Sequence, residues 1–178
     1  MLGLFFDVRP KPGHMAHYFE HVARLKPVLA RHTGMLFLDR YRPLDDPEAL
    51  LSHQLWADAA ALDGWRADPE HKRSQAAGRQ VHFQDYRIRV GALIAPEAAQ
   101  GPGRFVIAAY GPAPVSLPEA RAYESVNHAG DFLTLGYADD GAAAQARAAQ
   151  ARAEGAETLR LFAIDRDYTL TDRAEAPR

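Results

Sequence analysis

Two histidines, two arginines and four aromatic residues in the first half of the chain are suited to proton chemistry on a flat organic molecule. His53 and His71 titrate near neutrality and can act as general bases. Arg40, Arg87 and the phenol of Tyr86 can hold an oxyanion or a phenolate. Trp56, Trp65, Phe83 and Tyr86 can line a flat cavity that excludes water. Each also has a structural reading. Trp65 stands three residues after Leu62 and can pack a helix onto a sheet, and His71 follows the helix-start signal Asp68-Pro69-Glu70, where it can simply dress a helix surface. His53 is opposite in parity to Trp56, so only one of the two can face a cavity. Tyr86 shares a face with Ile88 and Val90, which favours core. Arg87 and Arg89 share the other face, and if that face is enclosed they need carboxylate partners or an anionic ligand.

Other chemistries have less support. The chain has no cysteine, which excludes disulfides, thiolate catalysis and iron–sulfur clusters. It has no GxSxG elbow, no phosphate-binding glycine loop and no GxGxxG after a strand. His14, His17 and His21 are spaced i, i+3, i+7, but no carboxylate–histidine motif accompanies them and they border an apolar stripe. They read as boundary residues, and no metal is expected. A net charge of −2 and a pI near 6.4 give no basic face for nucleic acid. The N-terminal apolar run is interrupted by Asp7 and is too short for a signal peptide, and no stretch approaches the roughly 20 apolar residues of a membrane span. A cytoplasmic protein is expected.

Alternation and capping signals name the elements that must position these residues. Leu2–Val8 alternates as a strand. From His14 to about His32, Tyr18, Val22, Leu25 and Leu29 form a helical stripe, with Pro27 predicting a kink or an early stop. Met35–Arg42 and Leu50–Trp56 are strands joined by a polar hairpin loop. Asp58 caps a helix that breaks near Ala67, restarts at Asp68-Pro69 and runs to Gly78. Val81–Ile94 is a long strand. Residues 1–94 thus read β-α-β-β-α-β, the ferredoxin-like order. Residues 95–103, rich in Pro and Gly, are a linker.

A degraded copy of the same unit follows over 104–170, with Tyr137-Ala138-Asp139 answering Trp56-Ala57-Asp58, and Asp167-Tyr168 answering Asp85-Tyr86. It reads as strand Phe105–Tyr110, short helix Pro118–Val126, strand Asp131–Tyr137, helix Asp140–Glu154 and a strand from Thr158 to Ile164 or beyond, one strand short. Residues 171–178 read as a disordered tail. The fold class expected is α+β: tandem ferredoxin-like repeats forming a barrel of antiparallel sheets, helices outside and a small cavity between the sheets. The missing strand predicts an uncovered edge and a homodimer built partly through it.

The residues PKPG near the start, Gly34, Asp39-Arg40-Tyr41, LLSHQLW, Trp65-Arg66, Glu70-His71, Gln75, Gly78-Arg79 and DYRIRV together resemble the antibiotic biosynthesis monooxygenase (ABM) superfamily. The resemblance is narrower to the branch related to haem-degrading monooxygenases, and it covers Leu2 to about Ile94. It implies a dimeric α+β barrel and, in some members, oxygenation of aromatic substrates by O2 without metal or flavin. The haem-degrading members use an asparagine in the first strand region, a tryptophan, and an axial histidine about ten residues after it. Here the only asparagine is Asn127 and the position ten after Trp65 is Gln75, so haem cleavage is not expected.

The function expected is a monooxygenase acting on a small aromatic or polyketide-like molecule, with O2 and no bound cofactor. His71 or His53 would be the base and Arg40 the electrostatic stabiliser. Trp56, Trp65, Tyr86, Phe83 and Arg87 would contact the substrate. The alternative is a non-catalytic or stress-associated barrel that binds a hydrophobic compound.

Overall fold

A computed structural model describes residues 1–177. The first half consists of β1 (Leu2–Pro10), α1 (Met15–Leu29), β2 (Met35–Pro43), β3 (Leu50–Trp56), α2 (Ala59–Ala67), α3 (Pro69–Ala77), a π-helical turn (Gly78–His82) and β4 (Phe83–Ile94). The second consists of β5 (Pro102–Gly111), β6 (Arg121–Ser125), β7 (Phe132–Asp140), α4 (Gly141–Ala153) and β8 (Thr158–Thr169).

The helices begin and end where side chains dictate. Asp58 Oδ1 accepts from the amide of Ala61 at 2.9 Å and caps α2. Asp68 ends that helix and caps α3 by accepting from Glu70 N, with Pro69 in the first turn. Pro27 lies in the last turn of α1, which stops two residues later at Leu29.

The eight strands close into one antiparallel barrel in the order β1-β3-β2-β6-β7-β5-β8-β4. Each half keeps the ferredoxin-like order, β4-β1-β3-β2 in the first and β8-β5-β7-β6 in the second. The halves join along two seams, β2–β6 and β4–β8. At the second seam Gly91 sits at a register shift, and a Cβ there would collide with the Ala163 carbonyl.

The element missing from the second half is therefore a helix, not a strand. Residues 121–125, expected in the helix 118–126, form β6, in which Tyr123 and Ser125 alternate inward. Pro118 imitates a helix start, but Glu119 adopts a φ of +52°, which breaks any helix there. Because β6 is present, the barrel has no free edge, and the reason for an edge-mediated homodimer is gone.

The barrel centre is also not where the cavity lies. Phe5, Leu51, Tyr123, Leu133, Leu135 and Phe162 fill it, each no more than 1% exposed. Arg87 and Arg89 share the strand face of the barrel-filling side chains and find carboxylates: buried Arg89 donates to Asp7 at 2.9 Å, and half-exposed Arg87 donates to Asp167 at 2.8 and 2.6 Å. The other face of the first-half sheet carries Leu2, Leu4, Trp56 and Val90, packed against Leu62 and Trp65.

In the segment expected to be a disordered tail, residues 171–177 fold back on the barrel, and Arg178 lies outside the described residues. Glu175 accepts from Arg104 and from the Asp167 amide, and Arg173 donates to the Tyr86 hydroxyl at 2.5 Å. Among the described residues no helix is long and apolar enough to cross a membrane.

Candidate functional site

Between the first-half sheet and its helices lies a cavity of about 480 Å³. Strands β1 to β3 supply its floor through Phe6, Leu38, Arg40, Ser52 and Gln54, all on the parity opposite to the barrel-filling side chains. The stripe of α1 supplies one wall: Tyr18, Val22, Leu25 and Leu29, with His21 and Lys26 at its border. Trp65, His71, Ser74 and Gln75 supply the opposite wall, and the π-turn with the start of β4 adds Gly78, His82 and Phe83. Gly78 is required here because a Cβ would strike the Phe83 ring. Asn127, on the loop after β6, reaches the rim from the second half.

The lining carries Arg40, Lys26 and three histidines but no Asp or Glu. Arg40 Nε is buried and makes no hydrogen bond among the described residues. Tyr18 is buried beside it: burial raises the phenol pKa, and the Arg40 guanidinium pulls it the other way. A guanidinium with a buried, unpaired Nε–H and no carboxylate in the lining attracts anions.

His71 stacks on Trp65 with ring centroids 4.0 Å apart and planes 15° from parallel. Its Nδ1 lies 3.0 Å from the Trp65 carbonyl oxygen. A carbonyl only accepts, so Nδ1 carries the proton and Nε2 keeps a free lone pair. Burial pushes the His71 pKa down to about 4, so the ring is neutral at pH 7.

Of the sequence-predicted residues the cavity thus gathers Arg40, Trp65, His71 and Phe83, and it leaves four aside. His53 is fully buried inside the barrel, where Nδ1–H donates to the Leu4 carbonyl at 3.1 Å and Nε2 accepts from Tyr110 at 2.6 Å. Trp56 is fully buried beneath α2, with its indole N–H donated to Gln54 Oε1 at 3.0 Å. Tyr86 packs among Val8, Tyr18 and Leu50, and Arg87 is paired with Asp167. Parity separates His53 from Trp56, yet neither faces the void: one fills the barrel and the other the helix contact.

Sequence reasoning missed Ser52, Gln54, Tyr18 and Asn127. Ser52 and Gln54 were readable as strand partners of Trp56 on its face, and Tyr18 as the head of the α1 stripe. Asn127 carried no signal, since only barrel closure brings it there.

His14, His17 and His21 meet a fourth ring, His82, whose centroid lies 5.2 to 5.3 Å from theirs. Their Nδ1 atoms already have partners: His14 with His82 at 3.0 Å inside the group, and His17 with Glu20 and His21 with Ser74 outside it. No group of three or more such side chains among the described residues is arranged to hold a metal ion.

Residues 1–77 match the protein family described as antibiotic biosynthesis monooxygenase. The likeness to that family lies in this first half of the chain, the ABM half. A curated relative, the jasmonate monooxygenase ABM of Pyricularia oryzae, is 34% identical over 95 residues. That match takes in 53% of this chain and spans 44% of the relative's length. Among solved structures, an antibiotic biosynthesis monooxygenase aligns over all of its own chain and 53% of this one, at 20% identity and a TM-score of 0.48. A structure from Lactobacillus acidophilus NCFM aligns over 95% of this chain and 96% of its own, at 6% identity and a TM-score of 0.50, a likeness of fold only. The cavity is built almost entirely from the residues of the family match, completed by the π-turn, Phe83 and Asn127.

Proposed function

We propose that the cavity of the ABM half is a monooxygenase active site for a small molecule with an apolar body and an acidic group, using O2 and no bound cofactor. The observation that carries the reading is the pairing of Arg40, buried and unpartnered at Nε, with a neutral His71 in a cavity that no carboxylate lines. His71 Nε2 removes the acidic proton and Arg40 holds the negative oxygen that results. Burial keeps the free base populated but weakens it. The anion formed beside the imidazolium restores basicity by charge pairing.

The electron-rich anion then reduces O2. For a substrate with an activated CH2, such as an anthrone, both C–H bonds break, one oxygen atom joins that carbon as a carbonyl, the other leaves as water, and the substrate supplies all four electrons. The relative named for jasmonate, a small carboxylate on an apolar body, fits the same balance of charge and surface. Anthrones and hydroquinones meet it with an acidic phenol or methylene. Domain bounds of 1–94 and 104–170, with 95–103 as linker, belong to the same proposal. In it the second repeat closes the barrel and the first holds the chemistry.

The test is oxygen uptake above the spontaneous rate with dithranol, hydroquinones and jasmonate, in metal-free buffer, for wild type and His71→Ala together. Uptake that falls at least about tenfold in the variant is expected for loss of a general base. No uptake, with the same molecules still quenching tryptophan fluorescence, would leave a non-catalytic binding barrel in its place.

A further inference from the structure

Three polar side chains on one face of β3 form a chain whose polarity is dictated by its first member. The Trp56 indole N–H can only donate, so the atom 3.0 Å away must be the Gln54 carbonyl oxygen, Oε1. The Gln54 amide nitrogen therefore faces the other way, 3.2 Å from Ser52 Oγ, and there it donates. Ser52 Oγ is thus occupied as an acceptor, and its own proton has no partner among the described residues. Ser52 is 3% exposed and lines the cavity floor. A hydroxyl so buried with its proton unplaced is costly unless something accepts that proton.

Arg40 is the direct cross-strand partner of Ser52 in the β2–β3 ladder, and it lines the same floor. Its Nε is likewise buried and unpaired. Two unsatisfied donors thus stand side by side on one sheet face, with no acidic side chain in the lining. Directly opposed residues of an antiparallel pair hold their Cβ atoms about 5 Å apart, close enough for both donors to reach one oxygen.

We propose that Ser52 Oγ–H and the Arg40 guanidinium form a two-donor site for the anionic oxygen of the bound substrate, with the serine proton directed by the Trp56–Gln54 pair. The proposal deepens the reading of this cavity as the substrate site and rests on it. Ser52 is then a binding group that discriminates by charge, preferring a phenolate, enolate or carboxylate oxygen over its protonated form. Trp56 and Gln54 are positioning residues that act through it. Buried Trp56, expected to touch the substrate, acts instead at one remove.

The experiment is equilibrium binding of 4-nitrophenol followed by absorbance across the pH range of its ionisation, which reads the phenolate-over-phenol preference without O2 or turnover. Wild type should bind the phenolate more tightly than the phenol. Ser52→Ala should cut that preference about tenfold, the scale of one hydrogen bond to a charged acceptor, while thermal unfolding stays near wild type. Ser52→Thr, which keeps the hydroxyl and adds a methyl toward open volume, should restore it. Trp56→Phe, which lets the Gln54 amide turn over, should shift it in the Ser52→Ala direction.

An unchanged preference in Ser52→Ala with 4-nitrophenol still bound would overturn the two-donor site and leave the cavity reading intact. A loss in Ser52→Ala with none in Trp56→Phe would overturn the relay. Failure of wild type to bind either form would overturn the cavity as a site for acidic molecules, and this inference with it.

Discussion

The two halves of the barrel share a strand order but treat the outer face of their sheets in opposite ways. In the ABM half, α1 and α3 stand off from the sheet on long side chains and leave a cavity of about 480 Å³. In the second half, α4 lies on the sheet through Ala144, Ala148 and Ala151, all fully buried, and among the described residues no helix answers to α1. Methyl groups bring a helix axis close and leave no room for a ligand, whereas Tyr18, Leu25 and Trp65 hold helices away and frame a void. One architecture therefore gives a ligand-sized space or a solid core according to the side chains on its helices.

The largest expected difference between the halves is in acid. The ABM half encloses histidines: His53 is fully buried with its pKa down to about 4, and His71 shifts likewise, while His128 in the second half is exposed. A histidine with a depressed folded pKa is neutral in both states at pH 7, and its contribution is lost as pH falls from about 6.5 toward 4. His53 alone accounts for roughly 3 kcal/mol of stability lost over that window. Urea midpoints from pH 7 to 4 should fall steeply for wild type and distinctly less for His53→Gln. Equal slopes would show that the barrel histidine does not carry the acid sensitivity.

A smaller effect compares the packing directly. Ala148→Leu in the solid half should cost about 1–3 kcal/mol by overpacking. Val22→Leu, which adds one methylene on the cavity wall, should stay within about 0.5 kcal/mol. Thermal melts of the two variants side by side decide it, and equal losses would mean that the void closes in solution. The smallest effect concerns what the halves hold in common. Asp58 and Asp140 cap α2 and α4 through the same contact, an Oδ1 accepting an amide three residues on at 2.9 Å. Asp58→Ala and Asp140→Ala should each cost about 1 kcal/mol in chemical denaturation, and a marked inequality would show that one helix depends on its cap more than the other.

Much of the framework behind this contrast is legible in the sequence, because it rests on local chemistry. The alternation of Leu2–Val8, the strand Leu50–Trp56, the Asp58 and Asp68 caps and the stripe from Tyr18 to Leu29 all fold as expected. The misreadings share a cause. Residues 118–126 carry a proline helix start, yet Tyr123 is worth more in the barrel, between β2 and β7, than on a lone short helix. The candidate site is half legible: Arg40, Trp65, Phe83 and His71 line the cavity, while His53, Trp56, Tyr86 and Arg87 lie in cores or ion pairs. Their residue types are suitable, but type does not reveal the partner that already occupies a side chain, such as Tyr110 for His53 or Asp167 for Arg87.

The sequence by itself determined every element but β6, the order of the two repeats and the parity of residues along the strands it named, since periodicity and capping act within a few residues. The tertiary structure alone decided which face borders a void, that Asn127 comes to the rim of the other half's cavity, and that Ser52 keeps a free proton beside Arg40. A void is the difference between the volumes of side chains far apart in the chain, and an unpaired donor is defined by every neighbour that fails to reach it. Both are properties of the closed barrel with its helices in place, not of any single segment.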